Sequence, residues 1–577
     1  MSAAHSWLEP SRVARVALAV LLVAVGAFLF NETRGTTFWF DEWQWVTERR
    51  GNDLGTFLRP HNEHCSIVPI AIYKLLFVTA GLDHYAPYRA VVIALHLLTG
   101  GLVFVYVARR AGSLFGLLAA GLILTLGPGW QGFIWTFQIT WLSTLAAGIG
   151  ALLVLERGDR RGDVAAAALL GVSLASSGIG VPIAIGVVVD VLWGRRDRRA
   201  ALTLAVPLVL YGLWWVGYGD PGQFFRHNLV LVPGFAADSA ASALSALTGL
   251  HGAPITENGA ELDKTAGTAW GRPLALAAVV LLALRLRRMG PVPPRVWALG
   301  ATLVSFWVLT GLERAHLGPP DTSRYMFVSG IFVVLLLAEL ARGVAITPTA
   351  TAIVALAVAV AVIANVGDLR AGTRFLRAQA PAARADLGVL ELTRPLLAPG
   401  FVATHFPGYP FIRIRADAYF AAAEANGSPA ASAPEIAGSR EQARGLADAE
   451  LTDIHGVALR PSAGRAPGGA PPRLERVTSG RVAGRGGCLR FRPLDAQAAD
   501  VNSTLDLVLP ASGLLLTAEG GSATVAVRRF AVEFPPKALS RVASSTSASL
   551  RIPPDGTGVP WHVRVVPSGR VTACGLP

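Results

Sequence analysis

Acidic and aromatic residues are concentrated in one short segment, FWFDEWQWVTERRGNDLGTFLRPHNEHCSIVP, which covers residues 38–69. Asp41 and Glu42 lie in it between the aromatic groups FWF and WQW. Such aromatic side chains anchor at a membrane interface and would hold the carboxylates there rather than free in water. A partly desolvated carboxylate tends to have a raised pKa, which suits general-base chemistry. We therefore predict Asp41 as a catalytic base, and for Glu42 a catalytic and a structural role stay equally open.

The same segment returns to an apolar stretch through RPHNEHCSIVP, which contains Arg59, His61, Glu63 and His64. We expect these four side chains to bind a substrate through hydrogen bonds or charge. Imidazole and carboxylate groups also ligate metals, but HNEH is not the HExxH motif and no third ligand is visible nearby. A divalent metal ion therefore stays the less favoured alternative, and no other cofactor is expected.

The composition indicates which elements must position these residues. Of the 577 residues, 52% are hydrophobic and only 15% are charged, and the mean hydropathy is +0.48. Soluble domains carry about one quarter charged residues, so the chain is predicted to be a polytopic α-helical membrane protein. The runs long enough, or nearly so, to cross a bilayer are 13–30, 88–108, 114–127, 135–155, 165–193, 200–218, 273–286, 296–312, 325–340 and 347–366. The run 165–193 is long for one crossing and short for two. Because arginine clusters flank both of its ends, it is expected to form a hairpin or a re-entrant pair, which gives about eleven crossings.

Arginine placement predicts the orientation of these helices. With a cytoplasmic N-terminus, the arginine clusters fall on the cytoplasmic side, as the positive-inside rule requires. These clusters lie at 109–110, 157–161, 195–199, 285–295 and 342. The segment 38–69 and everything after residue 366 then lie outside the cell membrane. The net charge of +13 is explained without nucleic acid.

The sequence divides into four predicted regions. A transmembrane core covers 1–366, and an extracytoplasmic helical segment covers 367–429. A Gly-, Pro- and Arg-rich linker follows at 430–487, and short alternating runs in 488–577 predict a small β-sandwich. Cys488 and Cys574 bracket the last region. In an oxidising compartment they would form a disulfide, the alternative being two buried thiols.

The pattern of the outer segments resembles a known family. A first helix is followed by a loop that opens with an acidic pair, then by a histidine-containing segment that ends in a proline-led apolar stretch. A late helix begins with DTSRYMFV, which includes Arg324 and Tyr325. Residues 1–366 are in this respect similar to the GT-C membrane glycosyltransferases, which include protein O-mannosyltransferases and lipid A aminoarabinose transferases.

The resemblance implies a sugar donor carried on a polyprenyl phosphate and attacked at the outer face by an acceptor hydroxyl, with inversion. Asp41 would accept the hydroxyl proton, and Arg324 would bind the departing phosphate. Arg59 and Arg89 are the next candidates for phosphate binding. Tyr325 would contact the sugar. The implied partners are the bilayer, the polyprenyl-phosphate sugar and a cell-envelope glycan, lipid or protein acceptor.

Two other functions stay open at this point. A transporter or flippase for a lipid-linked sugar would carry ionisable residues at the centres of its helices, and these centres are nearly free of charge. A non-catalytic membrane protein could instead display the C-terminal region as a binding module. The absence of Walker, GxGxxG and GxSxG motifs leaves ATP, nicotinamide and hydrolase chemistry without support.

Overall fold

A computed structural model describes residues 11–194, 198–220, 225–252, 266–403, 414–463, 468–494, 503–535, 538–553 and 557–577. The chain divides into two compact units, Met1–Ala378 and Gln379–Pro577. The division falls inside a long helix, somewhat beyond the boundary at residue 366 that the end of hydrophobicity predicted. Each unit has its own set of elements.

The first unit consists of helices, the last of which continues into the second unit. They are α1 (Arg12–Glu32), α2 (Glu42–Glu48), α3 (Leu54–Leu58), α4 (Ile67–Ala80), α5 (Ala86–Ala111), α6 (Ser113–Leu124), α7 (Gln131–Ile134), α8 (Ile139–Leu155), α9 (Arg160–Leu174), α10 (Gly180–Gly194), α11 (Arg198–Tyr218), α12 (Asn228–Thr248), α13 (Ala266–Ala269), α14 (Gly271–Arg288), α15 (Pro294–Arg314), α16 (Ser323–Ala341) and α17 (Pro348–Thr393).

Eight helices in the described residues are long and apolar enough to cross a membrane, namely α1, α5, α8, α11, α12, α15, α16 and α17. The multi-helix membrane fold predicted from composition is confirmed. The number is lower than the predicted eleven for two reasons. Helices α6, α9 and α10 are shorter than a span, and the predicted run 273–286 lies in α14, whose 18 residues include four arginines. One of the eight, α12, lies outside the predicted runs. The run 165–193 does form two helices, α9 and α10, as expected.

Charged side chains meet at one end of the helices. Arg110 pairs with both Glu156 and Glu339 at 2.5 Å, and Arg295 pairs with Asp190 at 3.0 Å. Arg295 lies in the first turn of α15, which is 21 residues or about 30 Å long. The last turn of α15 and the start of α16 therefore lie at the other end. The loop between these two helices is thus separated from the arginine clusters by the length of a helix, as the arginine pattern predicted.

The second unit contains the end of α17, three short helices and thirteen strands in its described part. These elements are β1 (Val402–Ala403), β2 (Ile414–Arg415), α18 (Ala416–Asn426), α19 (Ala433–Ala437), α20 (Glu441–Ile454), β3 (Arg460–Ser462), β4 (Arg473–Thr478), β5 (Gly480–Arg485), β6 (Cys488–Pro493), β7 (Thr504–Val508), β8 (Leu514–Glu519), β9 (Ala523–Arg528), β10 (Ser540–Val542), β11 (Ser547–Leu550), β12 (His562–Pro567) and β13 (Arg570–Gly575).

Two antiparallel sheets form the body of this unit. One has the strand order β10-β9-β12-β7-β4 and the other β3-β11-β8-β13-β6-β5. Leu507 and Val563 of the first sheet share a buried core with Leu516 and Val571 of the second. The C-terminal β-sheet domain is confirmed, and its two layers form a β-sandwich.

The structure differs from the predicted linker at 430–487. Helices α19 and α20 and strands β3, β4 and β5 lie in that range. Ile436 and Leu451 are completely buried and belong to the same core as the sheets. The described part of this segment therefore belongs to the folded unit. Its Gly, Pro and Ser residues mark helix caps and turns, such as the capping box of Ser432 and Glu435 before α19, rather than an extended spacer.

Cys488 and Cys574 lie directly opposite each other on β6 and β13. They form a disulfide with an S–S distance of 2.19 Å, which closes a loop with a sequence separation of 86 residues. In the loop-entropy account, a loop of this length stabilises the fold by about 4 to 5 kcal/mol.

Candidate active site

Asp41 lies at the end of an unusual turn between α1 and α2. The preceding residue, Phe40, has a φ of +51°, in the left-handed region that a bulky residue rarely adopts. Asp41 is the N-cap of α2, yet its side chain makes no capping hydrogen bond. No hydrogen bond from the described residues reaches its carboxylate. The turn therefore presents a carboxylate that is free to accept a proton.

Glu42 stabilises this turn by accepting hydrogen bonds inside the protein. It is completely buried, and Oε2 accepts a hydrogen bond of 3.0 Å from the backbone amide of Trp39. The other groups that donate to its two oxygens are the hydroxyls of Tyr73, Tyr85 and Thr136 and the indole Nε1 of Trp135. Burial raises the pKa of Glu42 to about 7, against the effect of the Thr136 and Trp39 hydrogen bonds. A carboxylate enclosed by so many donors cannot contact a substrate, so the arrangement favours the structural role for Glu42.

The electrostatic surroundings of Asp41 differ from those of Glu42. Burial raises the pKa of Asp41 to about 6, while the positive charges of Arg324 and Arg314 act in the opposite direction. The carboxylate is thus ionised at neutral pH and yet more basic than one in water. Arg324 and Arg314 lie close enough to lower the pKa of Asp41, so they also provide positive charge for an anionic group bound beside it.

Glu63 and His64 approach the same place from a tight turn. The backbone amides of His61 and His64 each donate to the other's carbonyl at 3.0 Å, and Asn62 between them has a φ of +49°. This turn directs the Glu63 carboxylate to Arg314, whose Nη2 donates to Oε2 at 2.6 Å. The link joins the turn to the end of α15.

His64 is held against the hairpin of α9 and α10. A Cβ on Gly178, in the turn of that hairpin, would come within 2.5 Å of His64 Nδ1. Burial lowers the pKa of His64 to about 4, with Glu63 opposing this shift and Arg314 contributing to it. The imidazole is therefore neutral at pH 7.

The Arg314–Glu63 ion pair and the charge interactions of Asp41 and His64 with the two arginines group five residues: Asp41, Glu63, His64, Arg314 and Arg324. We call this group the acid–arginine cluster. Four of its members were predicted from sequence, and Arg314 was missed. The signal that could have found it is its position in the loop segment GLERAHLGPPDTSRY, which also contains Arg324.

Tyr325 lies beside the cluster. Its ring stacks on Trp141 with 6.0 Å between ring centroids and 18° between planes. The Arg324 guanidinium carbon is 5.4 Å from the centroid of the same ring. Tyr325 thus supports Arg324, and the contacts do not test the predicted interaction with a sugar.

Three predicted site residues occupy other positions. His61 is buried between the rings of Trp45 and Phe137, at centroid distances of 5.4 and 5.2 Å, and burial lowers its pKa to about 3. Arg59 is exposed and donates to the carbonyl of Gly55 at 3.3 Å.

Arg89 is buried over the ring of Phe30, 4.6 Å from its centroid. These contacts give His61, Arg59 and Arg89 structural roles.

A further arginine that sequence reasoning missed, Arg49, also has a structural role. It donates to the carbonyls of Thr56 at 3.0 Å and Pro60 at 2.6 Å and so fixes the loop before the histidine turn.

A metal ion has no suitable set of ligands in the part of the chain that the structure describes. No group of three or more His, Cys, Asp or Glu side chains is arranged to hold one there. Glu63 is paired with Arg314, and His61 faces aromatic rings. The residues of the HNEH turn therefore do not fit the metal alternative.

Comparison with known proteins finds similarity in structure but not in sequence. No protein-family model matches the chain, and no curated protein matches it in sequence. The structure is similar to two solved membrane glycosyltransferases. One is ArnT from Cupriavidus metallidurans bound to undecaprenyl phosphate, with a TM-score of 0.40 and 15% identity over 66% of this chain and 81% of that chain.

The other is arabinosyltransferase EmbB from Mycobacterium smegmatis, with a TM-score of 0.37 and 12% identity over 97% of this chain. This chain corresponds to only 64% of the length of EmbB. The similarity to GT-C membrane glycosyltransferases that the sequence predicted is thus found. At these TM-scores it is remote, and no residue's role is taken from either structure.

Proposed function

We propose that the protein is a membrane glycosyltransferase that moves a sugar from a polyprenyl-phosphate donor to the hydroxyl of a cell-envelope glycan, lipid or protein. The observation that carries the proposal is the free Asp41 carboxylate, with a pKa of about 6, beside Arg314 and Arg324. A base next to a phosphate-binding pair of cations is the arrangement that displacement of a lipid phosphate requires.

In the proposed reaction, Asp41 accepts the proton of the acceptor hydroxyl as its oxygen forms a bond to the anomeric carbon. The bond from that carbon to the phosphate oxygen breaks at the opposite face, so the configuration inverts. The electron pair leaves with the polyprenyl phosphate, which needs cationic stabilisation more than a proton. The polyprenyl donor itself comes from the family resemblance of the sequence.

The two arginines contribute differently to phosphate binding. Arg324 has no ion pair with a described carboxylate within bonding distance, and its fork of donors matches phosphate oxygens. Arg314 is held by Glu63, which fixes its position and leaves its remaining donors for the substrate. His64 remains neutral and provides a hydrogen bond near the same oxygens.

The proposal includes an orientation. The N-terminus lies in the cytoplasm, and the acid–arginine cluster and the second unit lie outside the cell membrane. This orientation rests on the arginine pattern of the loops. It places the site in a compartment without sugar nucleotides, which agrees with a lipid-linked donor.

The test is transfer of radiolabelled sugar from a panel of polyprenyl-phosphate sugars to cell-envelope acceptors, using membranes that contain the native protein or Asp41→Asn at equal expression. Asp83→Asn is the matched control, since Asp83 is exposed and outside the cluster. We expect transfer with the native and control proteins and a loss of at least about a hundredfold with Asp41→Asn. Equal transfer by Asp41→Asn would remove Asp41 from the mechanism, and no transfer from any donor would favour the transporter or display functions.

A further inference from the structure

The outer surface of the six-stranded sheet in the second unit is rich in arginine. Side chains alternate between the two faces of a strand. Phe491 and Val571 point into the core and are each 1% exposed, so Arg490, Arg492 and Arg570 point outward. The outward arginines, all exposed, are Arg460, Arg481, Arg485, Arg490, Arg492 and Arg570. We call this set the arginine face.

Strand pairing concentrates four of these arginines on the edge hairpin of β5 and β6. Arg481 lies directly opposite Arg492, and Arg490 lies opposite Ala483. Like charges directly opposite each other destabilise a sheet, so the isolated unit is less stable for having them there. An anion bound between the guanidinium groups would remove this repulsion.

The other sheet shows that this is not a general result of an arginine-rich composition. There, Arg564 makes a bidentate pair with Asp506 at 2.8 Å, and Arg528 pairs with Glu475 at 2.7 Å. On the arginine face, Glu519 is the one acidic residue among the described outward positions, and the six arginines make no ion pair with a described carboxylate. The other sheet thus pairs Arg528 and Arg564 and leaves Arg473, Arg476 and Arg541 without an ion pair to a described carboxylate, whereas on the arginine face none of the six arginines is paired.

We propose that the arginine face binds the anionic headgroups of the bilayer in which the chain is embedded. Guanidinium groups bind phosphate oxygens in a fork, and basic residues near an anionic lipid surface are attracted to it. The described outward positions of the six strands contain no Trp, Tyr or Phe, so they offer no ring on which a sugar could stack.

Covalent connection also favours the bilayer over a free polyanion. Helix α17 begins as a candidate membrane span and continues without a break into the second unit. The unit is therefore always tethered near a membrane surface, where the effective concentration of headgroup phosphate is high. This inference does not depend on the proposed transferase activity.

The test uses the full-length protein in nanodiscs of phosphatidylcholine alone or with phosphatidylglycerol. A cysteine at Ala483, exposed between Arg481 and Arg485, reports access to a neutral, water-soluble maleimide. A cysteine at Ser540, exposed on the other sheet, is the control position. The native cysteines interfere little, because Cys65 is buried and the other two are joined in the disulfide.

We expect labelling at position 483 to be about tenfold slower in the anionic nanodiscs than in the neutral ones, and labelling at position 540 to be the same in both. High salt should abolish the difference, because headgroup attraction is screened. Arg481→Gln with Arg492→Gln should reduce it severalfold. Arg473→Gln with Arg541→Gln, which removes the same charge from exposed positions of the other sheet, should leave it unchanged.

Equal labelling of position 483 in the two lipids would overturn the inference. Adding soluble polyphosphate to the neutral nanodiscs separates the two sources of phosphate. Protection by polyphosphate without protection by phosphatidylglycerol would also overturn the bilayer as the partner and assign the face to a soluble polyanion.

Discussion

Arg314 Nη2 donates a hydrogen bond of 2.6 Å to Glu63 Oε2, and this ion pair joins the last turn of α15 to the tight turn of the HNEH segment. The pair gives Arg314 two possible functions. It only neutralises the carboxylate of Glu63, or it also binds the phosphate of the donor with Arg324.

The first prediction separates these two functions of Arg314. Replacing it with Gln should lower transfer about 10- to 100-fold, mainly through a higher KM for the donor, because a hydrogen bond to a charged group contributes about 1.5 to 3 kcal/mol. Kinetics of the double variant Arg314→Gln with Glu63→Gln provide the decisive measurement. If Arg314 binds the donor, activity stays low; recovery in the double variant would mean that it only neutralises Glu63.

The second prediction concerns Glu42, which we place as a positioning residue. Glu42→Gln keeps the shape of the side chain but replaces one acceptor oxygen with an NH2 group. That group would face hydrogen-bond donors instead of acceptors. We expect a loss of about 1 to 3 kcal/mol of stability and a fall in kcat that exceeds any change in KM. The pH dependence of kcat/KM should keep its midpoint near 6, because that midpoint belongs to Asp41. A variant that loses this pH dependence would instead identify Glu42 as the base.

The third prediction is the pH dependence of activity. Asp41 must be ionised to accept a proton, and burial raises its pKa to about 6. kcat/KM should therefore be low at pH 5, rise through pH 6 and become constant above about pH 7. Measurement with a donor at a concentration well below its KM tests this. A profile that is flat between pH 5 and 7 would contradict Asp41 as the base.

The same shift predicts a change in stability. The folded protein binds the Asp41 proton more tightly than the unfolded chain does, since the pKa is about 6 in the fold and 3.8 in the reference state. Its contribution to stability is present below pH 4 and is lost as the pH rises through 6. Thermal unfolding in detergent should thus show Asp41→Asn to be more stable than the native protein at pH 7, with a smaller difference at pH 4. A difference independent of pH would contradict this.

The fourth prediction concerns orientation. Asp83, between α4 and α5, and Arg157, between α8 and α9, are both exposed. A cysteine at position 83 should react with a membrane-impermeant maleimide added to intact cells, whereas one at position 157 should react only after the membrane is permeabilised. The reverse pattern would place the acid–arginine cluster in the cytoplasm and contradict the proposed orientation.

Local sequence signals predicted the parts of the site that local residues determine. Asp41 was found by its aromatic neighbours, and Arg324 by its position at the start of a late helix. Arg314 was missed because its importance comes from a contact with Glu63, 251 positions away in the chain. Glu42 stayed ambiguous for the same reason, since Tyr73, Tyr85 and Thr136 approach it from distant parts of the chain.

The fold was predicted best where hydrophobicity dominates. The length of an apolar run predicts a membrane helix well, and the hairpin of α9 and α10 followed from the arginine clusters at both ends of its run. The start of the β-sandwich was missed because strands such as β5, GRVAGR, contain mostly glycine and arginine. Their stability depends on pairing with β6 across the sheet, which composition does not reveal.

The position of β13 has a consequence for biosynthesis. This strand follows all others of the six-stranded sheet in the chain, yet it lies in the middle, between β8 and β6. Until it leaves the ribosome and reaches the folding compartment, β5 and β6 have no hydrogen-bonded connection to the other three strands. The sheet therefore cannot assemble progressively as the chain emerges. Its earlier strands keep unpaired edges during synthesis, and such edges are binding sites for a chaperone.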